Sequence, residues 1–297
     1  MLSSSLSPLA EIRLIAVREL RRSIRSTKGV AIAALTLAGA CIALLVSGWM
    51  DAGGRELPSA EVTQAQLELR RQAIAHATGD PAFADDVASM PTSLLAFLKI
   101  TVWFSPLLVA LLGFDGISGE LQHRTVRFWA VRARRSSLFA GKLLGLWALV
   151  GLVTLALNLL AGGAALARGH VAIGELARWG VRSWFVVFVI AGAWAAMATL
   201  VSACFSAPIL ALLATFAAFF VLWLVGLGGF LSRMRLSAEG GAQPAPTLWY
   251  EFLYPNAYDT LLMSSDPARV LGAAGILIAF VAIATGAGSL LLARRDM

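Results

Sequence analysis

DGISGELQHRTVRFWAVRARRSSLFAGK, Asp115 to Lys142, sets six basic residues (Arg124, Arg127, Arg132, Arg134, Arg135 and Lys142) against two acids, Asp115 and Glu120, between two long apolar runs. A short basic segment between such runs belongs on the inner side of a membrane, where anionic headgroups and the insertion bias favour Lys and Arg. It has room for a short helix. The whole chain agrees: 59% of its 297 residues are hydrophobic and only 14% charged, too apolar for a soluble domain. The net charge of +7 does not imply a nucleic-acid partner, because the basic residues sit at the ends of apolar runs rather than on one soluble surface.

Six windows reach the roughly 20 apolar residues that cross a hydrocarbon core. They are about 30–50, 94–114, 143–166, 183–205, 207–231 and 270–293. The expected fold is an all-α integral membrane protein with six transmembrane helices over 30–293 and a short tail, 294–297. The fourth and fifth spans, joined by Ser206, Ala207 and Pro208, form a tight helical hairpin. The first run is longer than a secretory core and reads as an uncleaved signal anchor. Cys41 and Cys204 both lie within apolar runs, so no disulfide framework or metal-binding pair is expected.

With the N-terminus inside, Lys and Arg number six before the first span, six in the 115–142 loop and two at Arg294 and Arg295, fourteen in all. The outer loops carry nine, and Lys99 lies within the second span. That excess places both termini in the cytoplasm, in a bacterial-type inner membrane. Over 1–29, Ser7-Pro8 signals a helix start, and Leu9, Ile12, Ala16, Leu20 and Ile24 fall on one face. Arg18, Arg21, Arg22 and Arg25 fall roughly opposite, which describes an amphipathic helix lying against membrane lipids in the inner interface. Outside, residues 51–93 form a folded excursion with a helix-compatible segment, 59–76, and a turn at Gly79-Asp80-Pro81. TLWYEFLYPNAYDTLL, residues 247–262, suits an interfacial or re-entrant segment.

The order Ile117-Ser118-Gly119-Glu120, then Thr125, a basic stretch and Gly141-Lys142 at the entry to the next span resembles the signature of ABC-2-type permeases, the membrane subunits of ATP-binding-cassette exporters. The closing Arg294-Arg295-Asp296 is similar to the family's usual ending, and the resemblance covers the whole topology. The chain departs from the pattern at Arg124, where Gly is common, and at Ala133, where Pro is common. The resemblance implies a connecting helix at the N-terminus, a cytoplasmic coupling helix between spans two and three, and a re-entrant segment before span six. It also implies that Glu120, Leu121, His123, Arg124, Thr125 and Arg127 couple to a cytoplasmic ATPase. Two ATPase copies, binding ATP and Mg, and a second permease copy or paralogue would complete the assembly, which moves substrate by alternating access. Ile117, Leu121, Phe128 and Val131 share one helical stripe, with Glu120, His123 and Arg127 directed elsewhere and Arg124 interrupting the stripe.

An external ATPase is also what the phosphate-binding pattern requires. A Walker A loop is G-x-x-x-x-G-K-[ST]; the single Gly-Lys pair, Gly141-Lys142, has Ser136 at the first glycine position and is followed by Leu143. No cofactor is expected in this chain. Gly116-Ile117-Ser118-Gly119 also resembles the G-x-S-G of rhomboid intramembrane proteases, but a serine nucleophile needs an oriented histidine, and the sixth span has none. A non-transporting scaffold or sensor, with 51–93 as its receptor element, is the other alternative. Lys99, near the outer end of its span, can snorkel to headgroups or meet cargo; Asn158 can bond a neighbouring helix or meet cargo. These two residues mark the candidate substrate path. Gly141 with Gly145 and Ala191 with Ala195 permit close helix approach.

Overall fold

The structure, a computed structural model, describes residues 7–26, 29, 30, 34, 38, 39, 41, 64–78, 81–123, 134–167, 172–238 and 251–294. Among these, five helices are long and apolar enough to cross a membrane. They lie within α4 (Thr92–Gly113), continuing as far as Gln122, and in α6 (Arg135–Ala167), α7 (Ile173–Cys204), α8 (Pro208–Ala238) and α10 (Pro267–Arg294). The expected first span, 30–50, lies outside the described residues except at positions 30, 34, 38, 39 and 41, which are helical. The smaller helices are α1 (Pro8–Arg25), α2 (Gln64–Thr78), α3 (Pro81–Val87), α5 (Ser118–Gln122) and α9 (Asp259–Leu262).

Helix α6 has 33 residues, about 50 Å at 1.5 Å per residue, against a hydrocarbon core of about 30 Å. The apolar windows match α4 and α10 to within three residues at each end, whereas α6, α7 and α8 run seven to ten residues beyond theirs at one end. Their polar ends, such as Ile173–Arg182 of α7, continue past the apolar windows. Helix α7 is the hub: Ile190, Ala191, Ala193, Trp194, Ala195 and Ala196 are fully buried, with α4, α6, α8 and α10 packed around it. Ala191 and Ala195 thus serve packing within the chain. Two indoles are satisfied by carbonyls, as an apolar medium demands: Trp147 Nε1 donates to Phe188 O at 2.8 Å and Trp184 Nε1 to Gly151 O at 3.0 Å. Phe188 stacks between both rings.

Helix α1 starts where Ser7 and Pro8 signal it, with the Ser7 hydroxyl accepting from the Ala10 amide. Its packed seam shares Ile12 and Ala16 with the apolar face read from the sequence but is centred on Ile15 and Glu19. Ile15 is buried, with Ile12, Ala16, Glu19 and Ser23 beside it, while Leu9 and Ile24 stand exposed. Successive residues turn by about 100°, so the helix presents three faces: this seam, an apolar arc of Leu9, Leu20, Ile24 and Val17, and a basic arc of Arg18, Arg21, Arg22 and Arg25. The middle arc suits acyl chains and the last suits headgroups.

The seam is placed by Gly141 and Gly145 of α6. A Cβ at Gly141 would sit 2.6 Å from Ile15 Cβ, and one at Gly145 would sit 2.8 Å from Glu19 Cβ. These two glycines are therefore occupied by α1 of the same chain. Gly145→Leu should displace α1 at a cost of about 1–3 kcal/mol, measured as faster tryptic cleavage at Arg21 and Arg22.

At the opposite end of the bundle α2 and α3 form a helical hairpin whose Phe83, Ala84 and Val87 are buried. Arg70 donates to Met90 O, and Arg71 pairs with Asp85. The hydrogen bond from Arg71 holds the Asp85 carboxyl below its usual range. The pair's small contribution is thus present above about pH 4 and is lost as pH falls through the lowered value.

Candidate functional site

The basic loop is fastened where it leaves the bundle. After α4, Phe114–Ile117 turn into the five-residue α5. Ser202 of α7 holds that turn: its Oγ accepts from the amides of Ile117 and Ser118, both at 3.1 Å, and donates to Phe114 O at 2.8 Å. One hydroxyl supplies one donor and two acceptor sites, so its capacity is filled. Ser118 Oγ also donates to Phe114 O. Ser118 is fully buried, and no described histidine bonds it, so the geometry gives it no general base.

Glu120 follows, and its position corrects the sequence reading. The carboxylate is directed inward, 8% exposed, with Oε1 2.6 Å from Lys142 Nζ. Lys142 is only 4% exposed and also donates to Glu19 Oε2 of α1 at 2.6 Å. Arg22 Nη1 lies 3.6 Å from Glu120 Oε1. Among the described residues, two cations and two carboxylates from α1, α5 and α6 thus meet in one cluster. The inward turn has a physical cause: an ammonium at the start of an apolar helix must find anions, and α1 alone supplies one. The stripe itself holds locally, since Ile117 is buried and Leu121 packs against the core.

Further contacts gather at the same end. Glu11 Oε2 accepts from the Arg134 amide at 3.3 Å, at the entry to α6. Arg135 donates to Leu292 O and Ala293 O at 2.9 and 2.7 Å, covering carbonyls that the last turn of α10 leaves open. Five elements, α1, α5, α6, α7 and α10, therefore converge where the basic loop begins and ends. His123 caps α5 and is exposed; Arg124, Thr125 and Arg127 lie outside the described residues. Arg18, Arg21, Arg22 and Arg25 line the exposed side of α1. Glu19 and Ser202 carry no signal in the sequence, and Lys142 enters there only in the basic count and in the Gly141-Lys142 signature at the head of the third span. The one usable signal was Lys142 itself, a cation opening an apolar run.

At the far end Lys99 does not snorkel freely. Its ammonium lies 2.7 Å from Asp259 Oδ2 and 4.5 Å from the centre of the Phe83 ring. It lines a cavity of about 640 Å³ between α4, α8 and the segment 251–260, walled by Trp103, Phe104, Trp223 and Phe230. Thr260 Oγ1, buried and without a hydrogen-bond partner among the described residues, also lines it. Asn158 instead donates to Gly180 O at 3.3 Å, an α6–α7 bond, and does not line this cavity.

The segment 251–262 is two short 3₁₀ turns and α9, held by a carbonyl that a proline sets free. Pro106 in α4 has no N–H for Val102 O, which accepts instead from Ser105 Oγ at 2.8 Å and Asn256 Nδ2 at 2.9 Å. Asn256 Oδ1 accepts from Trp194 Nε1 at 2.8 Å. Irregular backbone within an apolar bundle persists only where protein satisfies it in this way. Asn256→Leu would orphan the indole and weaken the carbonyl, a loss of about 2–3 kcal/mol read as a lower unfolding temperature.

No curated protein matches this chain in sequence. A family model described as ABC-2 family transporter protein matches residues 13–297, and with the helical bundle, the basic-loop node and the cavity in view, the chain belongs to that family.

Proposed function

We propose that the chain is the permease subunit of an exporter, driven by a separate cassette ATPase that docks on the 115–142 loop. The family carries the general assignment: a multi-pass membrane subunit of an ABC transporter, which implies an ATPase partner. One observation supports the site of docking. The loop begins and ends at a node where α1, α5, α6, α7 and α10 are bonded together, so a force applied at His123–Arg127 reaches most of the bundle. Two ATPases carrying ATP and Mg, and a second permease chain, give the assembly two such inputs. The loop, α1 and Arg294 then lie in the cytoplasm, and the cavity beside Lys99 faces the outer half of the membrane. Its aromatic walls and single ion pair suit an amphipathic cargo.

The test is purification of the tagged full chain from its native membrane. A cassette ATPase should accompany it, with ATP hydrolysis that falls about tenfold or more in Arg127→Glu, the loss of a charged contact worth about 1.4 kcal/mol. Accompanying ATPase activity that ignores Arg127→Glu and Thr125→Ala would contradict docking at this loop and favour a scaffold.

A further inference from the structure

We infer that the cavity beside Lys99 takes the headgroup of a zwitterionic amphiphile, its acidic group on Lys99 and its cationic group on Asp259. The inference rests on the permease reading above and names the class of its cargo. The cavity, about 640 Å³, falls within the roughly 300–1,000 Å³ of small-molecule sites. Lys99 Nζ and Asp259 Oδ2 lie 2.7 Å apart, with side chains 34% and 13% exposed, so the pair is partly shielded from water. An anionic ligand that took Lys99 would strand the Asp259 carboxylate, and a cationic ligand that took Asp259 would strand the ammonium. Stranding one partner of a shielded pair is the costly step. A zwitterion replaces one ion pair by two and strands neither.

Glu251 also lines the cavity, but it is fully buried and its carboxylate packs against Gly229, where an added Cβ would meet Oε1. It belongs to the wall. Thr260, next to Asp259 in α9, is different: its buried Oγ1 has no hydrogen-bond partner among the described residues, a deficit that an oxygen of the headgroup makes good. The rings suit the rest of the molecule. Phe83 already holds an ammonium, that of Lys99, at 4.5 Å, and ring faces attract quaternary ammonium groups as well. Trp103 of α4 meets Trp223 of α8 edge to face, 6.1 Å between ring centres. Trp103 and Phe104 stand half-exposed on the wall, apolar surface that an acyl chain covers.

The test uses the full chain with its copurified ATPase in nanodiscs. Cys41 and Cys204 are replaced by serine, and Ile100→Cys on the cavity wall reports labelling by a maleimide. Three probes share one chain length: decylphosphocholine, decyl sulfate and decyltrimethylammonium. The phosphocholine should protect the reporter at about tenfold lower concentration than either singly charged probe, the worth of one charged contact. Lys99→Met should turn the preference to the trimethylammonium probe, and Asp259→Asn to the sulfate. Because each of these leaves a charge unpaired and can fail to fold, Thr260→Val provides the second measure. It should keep the unfolding temperature of the reporter chain, since that hydroxyl bonds nothing among the described residues, yet weaken phosphocholine protection about threefold or more. Equal protection by the three probes, or a preference for a singly charged one, would overturn the zwitterion assignment. So would undiminished phosphocholine protection in Thr260→Val. Absence of protection by any probe, in a complex whose ATP hydrolysis still falls in Arg127→Glu, would overturn the site while the permease reading stands. ATP hydrolysis that ignores Arg127→Glu and Thr125→Ala would overturn that reading, and the cargo assignment with it.

Discussion

Lys142→Met should lower the stability of the solubilised chain by about 3–5 kcal/mol, the usual cost of removing one partner from a buried ion pair. The methionine fills much of the same space, so the loss is electrostatic. Glu19 and Glu120, both bonded to Nζ at 2.6 Å, would lose the ammonium they share, with Arg22 standing 3.6 Å from Glu120. The Arg22 side chain is 63% exposed and its attraction is screened, so it cannot replace the ammonium. Converting both carboxylates to Gln as well should recover most of the stability, because the penalty comes from stranded charge rather than lost packing. A Lys142→Met chain that unfolds at the wild-type temperature would show that the cluster is not closed to water.

Ser202→Ala should cost about 2–6 kcal/mol, because it strands two buried backbone amides, those of Ile117 and Ser118, at about 1–3 kcal/mol each. The carbonyl of Phe114 keeps its bond from Ser118 Oγ, so the damage falls on the amides alone. Its effect should be local: amide exchange over 114–123 speeds up while exchange in the middle of α7 is unchanged. Unchanged exchange over 114–123 would mean that the turn satisfies its amides another way.

The contrast between these two residues shows what the sequence could and could not convey. The whole of α4 and α10 and the apolar parts of α6, α7 and α8 are legible because a membrane span must be continuously apolar, whereas the overhangs of α6, α7 and α8 are not, because polar extensions carry no such requirement. The apolar arc of α1 that bears Leu9 and Ile24 is legible in the sequence, but the seam that packs on α6 is not. Amphipathicity ranks faces by polarity, but Gly141 and Gly145 selected the face bearing Ile15 and Glu19, since only there could backbone and side chain approach closely. Glu120 was read outward from its place beside an apolar stripe. Its true partner, Lys142, lies 22 residues on, and the second carboxylate, Glu19, 123 residues back, separations that no local pattern encodes. Pro106 and Asn256 are a similar pair: each is unremarked alone, and their relation exists only because one frees a carbonyl that the other occupies.

Lys99 illustrates the same point at the other end of the bundle. A lysine within an apolar window can always snorkel, and sequence could not place Asp259 2.7 Å away. The aromatic cavity beside it arises from α4, α8 and the 251–260 segment together.

The most direct test of the central claim is distance measurement by spin labels in the permease–ATPase complex, with labels at Arg13 on α1, His123 at the loop and Gln72 on the far hairpin. With nucleotide trapped, the Arg13–His123 distance should stay constant while both distances to Gln72 change, because Glu19 of α1 and Glu120 of α5 are bonded to the same ammonium of Lys142. An Arg13–His123 distance that changes with nucleotide would contradict the account.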